Sequence, residues 1–73
     1  MFVKGNTYFA TDVDNKVDFK AVYHLLRIHG GKAFFKVIPL VLCAKETTIL
    51  ADVKSGSAIY HGLKIDSSLE AVM

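Results

Sequence analysis

Residues 15–31 read NKVDFKAVYHLLRIHGG. With side chains set about 100° apart around a helix axis, Val17, Phe19, Ala21, Val22, Leu25, Leu26 and Ile28 fall on one broad apolar arc, as a helix packed on a core requires. The opposite sector collects Lys16, Lys20 and Arg27, with His24 on one flank, Tyr23 on the other and no carboxylate among them. Asn15 suits an N-cap and Asp18 the first turn, where negative charge favours the positive helix end. His29 and then Gly30-Gly31 suit the opposite end. The pattern predicts a helix over 15–31 with a cationic outer face.

Elsewhere the pattern is that of strands. TYFAT at 7–11 has β-branched and aromatic content and turn-forming residues on both sides. KAFFKVIPLVLCA at 32–44 is too apolar for a surface helix and carries Pro39, which would break a helix and here suggests an edge position or a bulge. After a turn at Lys45-Glu46, residues 47–53 (TTILADV) and 58–65 (AIYHGLKI) read as two further strands joined through Lys54-Ser55-Gly56-Ser57. The resulting expectation is an α+β fold in the order β-α-β-β-β: a small antiparallel sheet of three to four strands with one helix packed on one face. Residues 1–65 would form a single α+β domain. Residues 66–73 (DSSLEAVM) are polar enough to read as a flexible C-terminal tail, with a possible capping pair in Ser67 and Glu70.

Composition narrows the function classes. Seventy-three residues with 52% apolar content, five Phe and three Tyr make one small packed domain with little room for a deep active site. The single cysteine, Cys43, excludes an intramolecular disulfide, which together with the absence of an apolar leader or membrane-length run leads us to expect a cytoplasmic protein without a membrane role. Net charge is +2, too small an excess to predict nucleic-acid binding by itself.

Catalytic and metal constellations are missing at the level of spacing. His24 and His29 are five positions apart, roughly 140° around a helix, so they cannot chelate one ion as an i, i+4 pair does. His61 lies beside Tyr60 in another element, and no spaced cysteine pair is present to hold a structural zinc. Cys43 follows Leu-Val-Leu, where a thiol is expected to be buried and inert. Gly30-Gly31-Lys32 precedes a strand and therefore is not a phosphate loop, whose glycines lead into a helix. The chain is expected to be no enzyme, to use no cofactor and to bind no metal.

That leaves the face of Lys16, Lys20, Tyr23 and Arg27 as the candidate partner-binding site. Helical cations without carboxylates at i±4 repel one another, and Tyr is enriched at interfaces. Phe34 and Phe35 are adjacent, so one must point to each face of a strand, leaving at most one to stack on a base. Low net charge then favours a protein partner, with nucleic acid bound through the basic helix face as the alternative. Length and element order, carried by TYFAT, the helical segment, KAFFKVIPLVL, TTILADV and SAIYHGLKI with the tail DSSLEAVM, resemble a small phage-encoded antitermination protein that binds bacterial RNA polymerase. The resemblance implies an interaction protein in the host cytoplasm that docks on the polymerase and inhibits host transcription and termination, with no chemistry of its own; we expect a monomer.

Overall fold

Val17, Phe19, Ala21, Tyr23 and Leu25 recur at every second position, so the segment expected to be helical also carries the period of a strand. The protein uses that second period. The structure is a computed structural model and describes residues 1–41 and 44–71. The strands are β1 (Thr7–Thr11), β2 (Val17–His29), β3 (Lys32–Pro39), β4 (Thr47–Lys54), β5 (Ser57–Tyr60) and β6 (Leu63–Ala71). Each is antiparallel to the next, and β6 pairs with β1, closing the sheet into a barrel.

The α+β expectation is therefore overturned: among the described residues there is no helix, and the fold is an all-β closed barrel of six strands. Val17, Phe19, Val22, Tyr23 and Ile28 lose rotamer freedom in a helix and suit a pleated surface, and as a strand this segment satisfies its backbone against β1 on one side and β3 on the other. The residues that looked like helix ends serve as turns. Asn15 adopts φ +62 at the end of a turn in which Asp12 Oδ1 accepts the backbone N–H of Asp14 at 2.9 Å and of Lys16 at 3.0 Å. Gly30 and Gly31, at φ +59 and +77, form a two-residue hairpin turn whose positive φ angles match the twist of the strands it joins. Ser55-Gly56 makes a turn of the same sign where a hairpin is expected, and His61-Gly62 makes another that divides the 58–65 segment into the end of β5 and the start of β6.

Residues 66–71 belong to β6 rather than to a tail. Asp66 Oδ1 accepts the backbone N–H and the hydroxyl of Ser68 at 2.9 and 2.7 Å, at the point where β6 passes from its pairing with β5 (Ser57 opposite Asp66) to its far pairing with β1 (Tyr8 opposite Glu70, Thr7 opposite Ala71). Pro39 ends β3 instead of dividing a longer strand, as suits a residue with no N–H to give to a ladder. The expected burial of Cys43 lies outside the described residues.

The inner face alternates large and small side chains. Tyr8, Tyr23, Leu25, Phe35 and Ile65 are interleaved with Ala10, Ala33, Ala51 and Ala58, all buried. Six strands enclose a narrow lumen, and the alanines leave the space that the rings fill. Phe2 plugs one end, edge-on to Tyr8 with ring centroids 5.0 Å apart and to Phe35 at 5.6 Å, while Val3 N–H donates to the Tyr8 hydroxyl at 2.7 Å. The outer face carries Lys32, Lys36, Asp52, Lys54 and Lys64 together with the exposed apolar side chains of Leu50 and Ile59. No helix of the structure is long and apolar enough to cross a membrane.

Candidate functional site

Without a helix, the four residues expected to share one face are separated. Lys16 lies in the β1–β2 turn and Lys20 on β2, both exposed and both lining one open cleft at the end of the barrel opposite the Phe2 plug. Arg27 is exposed further along β2, on the outer wall. Tyr23 faces inward opposite Tyr8 and is only 4% exposed. It is a core residue, not a rim aromatic, because its position in β2 has the parity of Ala21 and Leu25.

Tyr23 nevertheless has a chemical consequence. Its pKa is raised above the ordinary 10.0, first because burial disfavours the phenolate and then through the negative charge of Asp18 and the neighbouring Tyr60. The folded state thus holds this proton more tightly than the unfolded chain, so the linked stability is fully present below pH 10 and is lost as pH rises from there through the raised folded value. Tyr23→Phe is expected to shallow the alkaline limb of a stability-versus-pH profile measured by urea unfolding. An unchanged limb would show that Tyr23 ionises as it would in water.

The cleft occupies about 520 Å³ and is lined by Asp12, Lys16, Val17, Asp18, Phe19, Lys20 and Val41. Phe19 stands outward, 68% exposed, because β2 runs irregularly opposite Phe9: Tyr8 pairs with Tyr23, yet Ala10 pairs with Asp18. Phe9 meets Phe19 edge-on, ring centroids 5.4 Å apart. The carboxylates of the cleft are half-buried and turned to the backbone, Asp12 to the turn N–H groups and Asp18 to Lys20 N–H at 2.9 Å. Of the four charged side chains lining the cleft, the two lysines are the more exposed.

A second surface runs across the outer wall. Arg27, Phe34 and Leu50 sit in register on β2, β3 and β4, with the Arg27 guanidinium 5.0 Å from the centre of the Phe34 ring, a cation–π contact. Leu50 is 47% exposed. Ion pairs Lys32–Asp52 and Lys36–Glu46 lie beside the row. Phe35, on the other face of β3, is fully buried, as adjacent strand positions require.

Among the described residues no three His, Cys, Asp or Glu side chains gather in a metal-binding cluster. His24 Nδ1 lies 3.0 Å from Thr7 Oγ1, and His61 packs edge-on to Tyr60. Comparison with family models, with curated proteins and with solved structures returns no match. Lys16 and Lys20, expected together on a helix face, line one cleft, and Phe19, expected in the core, lines it with them. Both the helical and the alternating pattern put Phe19 inside, and only the irregular pairing opposite Phe9 turns it out. Leu50 was legible in principle, since it alternates with Ile49 and Ala51 in a two-sided strand.

Proposed function

We propose that the chain is a non-catalytic binding protein that docks on a large protein assembly through the Arg27–Phe34–Leu50 row. The observation that carries this reading is a half-exposed leucine, Leu50, in register with a partly exposed phenylalanine, Phe34, on a wall that also carries ion pairs, with an arginine already laid over the aromatic. Exposed apolar surface rimmed by polar groups marks interaction sites, and Arg with aromatics forms the anchors of such interfaces. Closure of the barrel pairs every strand on both sides over at least part of its length, which limits the edge open to a second copy. The phage resemblance, which keeps its length and strand segments but loses the helix of its element order, is the ground for taking bacterial RNA polymerase as the partner and inhibition of host transcription and termination in the host cytoplasm as the outcome.

The test is capture with the tagged protein from bacterial lysate, with and without nuclease, followed by mass spectrometry. Recovery of polymerase subunits after nuclease treatment is the expected result. Arg27→Glu is expected to slow association and change its salt dependence, since exposed charges steer encounter, and Leu50→Asp to speed dissociation; the fold should survive both. Loss of every partner on nuclease treatment would overturn the protein reading. Capture of polymerase that both variants leave unchanged would move the contact away from this row.

A further inference from the structure

We propose that the cleft at the open end of the barrel binds single-stranded nucleic acid, one base stacking on Phe19 while Lys16 and Lys20 pair with the flanking phosphates. This site is separate from the outer-wall row, and the inference does not rest on the protein-docking reading. A phenylalanine ring left 68% in water costs hydration free energy and adds nothing to the core. Its edge-on contact with Phe9 fixes its orientation, so a ligand does not have to order it. Stacking of a base on such a ring is sequence-tolerant, and single-strand binders combine it with cations that follow the backbone.

The distribution of charge fits that ligand. Lys16 and Lys20 are exposed at the rim, whereas Asp12 and Asp18 are half-buried with carboxylate oxygens bonded to backbone N–H groups. Asp14, exposed in the same turn, does not line the cleft, so the lysines are the more exposed of the charges that do. At about 520 Å³ the cleft falls in the range of about 300–1,000 Å³ typical of small-molecule sites, but it is open, which suits an extended strand laid across it. An acidic peptide could satisfy the lysines but would leave the Phe19 ring unpaired. A duplex would hide its base faces.

Only two phosphates are contacted, so binding is weak and shallow in its salt dependence. For single strands the slope of log K against log salt is about −0.7 per phosphate, which for two lysines gives about a sevenfold loss between 50 and 200 mM salt. The experiment is fluorescence anisotropy with labelled eight-nucleotide oligomers of deoxythymidine and of uridine, titrated with the purified protein. Affinities at the weak end of the range of about 10⁻⁴–10⁻⁶ M typical of sequence-independent contacts at physiological salt are expected, tightening at 50 mM. Phe19→Ala should weaken both oligomers about 5- to 150-fold, and Lys16→Gln with Lys20→Gln should flatten the salt slope.

Because the chain has no tryptophan, Phe19→Trp supplies a single reporter. It should restore binding and its emission should be quenched by the oligomer, which separates loss of stacking from loss of fold. Arg27→Ala, on the other surface, should leave oligomer binding unchanged. No binding at 50 mM salt, equal binding by Phe19→Ala, or full competition by polyglutamate would each overturn the proposal. A difference between the two oligomers would show a preference for DNA or RNA within it.

Discussion

Phe35→Ala is expected to leave the protein largely unfolded at 25 °C. The ring is fully buried, lies between Leu25 on β2 and Ile49 on β4 in register, and meets Phe2 edge-on. Truncating a buried Phe costs about 3–5 kcal/mol, the cavity adding to the lost transfer free energy. A domain this small holds only about 3–5 kcal/mol in total. The alanines nearby cannot fill the void, and the barrel wall is fixed by its ladders. Urea unfolding followed by circular dichroism should show the variant past its midpoint in buffer. Phe34→Ala is the control, one position along on the outer wall, and should cost about 1 kcal/mol or less. Similar losses at the two positions would refute the assignment of faces in β3.

Deletion of residues 66–73 is expected to abolish the cooperative melt. The segment supplies the far half of the β6–β1 pairing, Glu70 opposite Tyr8 and Ala71 opposite Thr7, and its Ser67 hydroxyl donates to the Gly56 carbonyl at 2.6 Å. Without it β1 keeps only Ile65 and Lys64 as partners on that side, and the barrel opens. The freed edges would present unpaired N–H and C=O groups, so the shortened chain should associate at raised concentration. A tail would behave differently, its removal leaving the melting temperature and the monomer unchanged. Thermal melts and light scattering of the two lengths decide between these.

Part of this architecture was legible. β1 coincides with the segment TYFAT, β4 runs one residue past TTILADV, and Ser55-Gly56 is the hairpin its composition announces. The failures have specific causes. Residues 17–29 satisfy a helical arc and an alternating strand together, and the tie was broken by end signals with two meanings: Gly30-Gly31 stops a helix or turns a hairpin, and Asn15 caps a helix or takes a left-handed turn position. Alternation was also blurred by the irregularity between Leu25 and Arg27, which sets the apolar pair Leu25 and Leu26 side by side. Residues 66–71 read as polar because Asp66, Ser67, Ser68 and Glu70 leave only Leu69 and Ala71 as apolar positions. Of the candidate site, the positions of Lys16 and Lys20 survive as a pair, while Tyr23 and Arg27 went elsewhere once the helix was lost.

The barrel's closure also bears on how the chain reaches its native state. Every ladder but one joins consecutive strands through a short connection, whereas β1 and β6 bring Thr7 against Ala71. The meander can form hairpin by hairpin from local contacts, but the seam cannot form until the five other ladders have curled the sheet round. The entropy of joining distant segments is met in that one step. Substitutions along the seam, at Tyr8 or Ala71, should therefore act mainly on the rate of unfolding if the seam closes after the barrier, and on the rate of folding if closing it is the barrier.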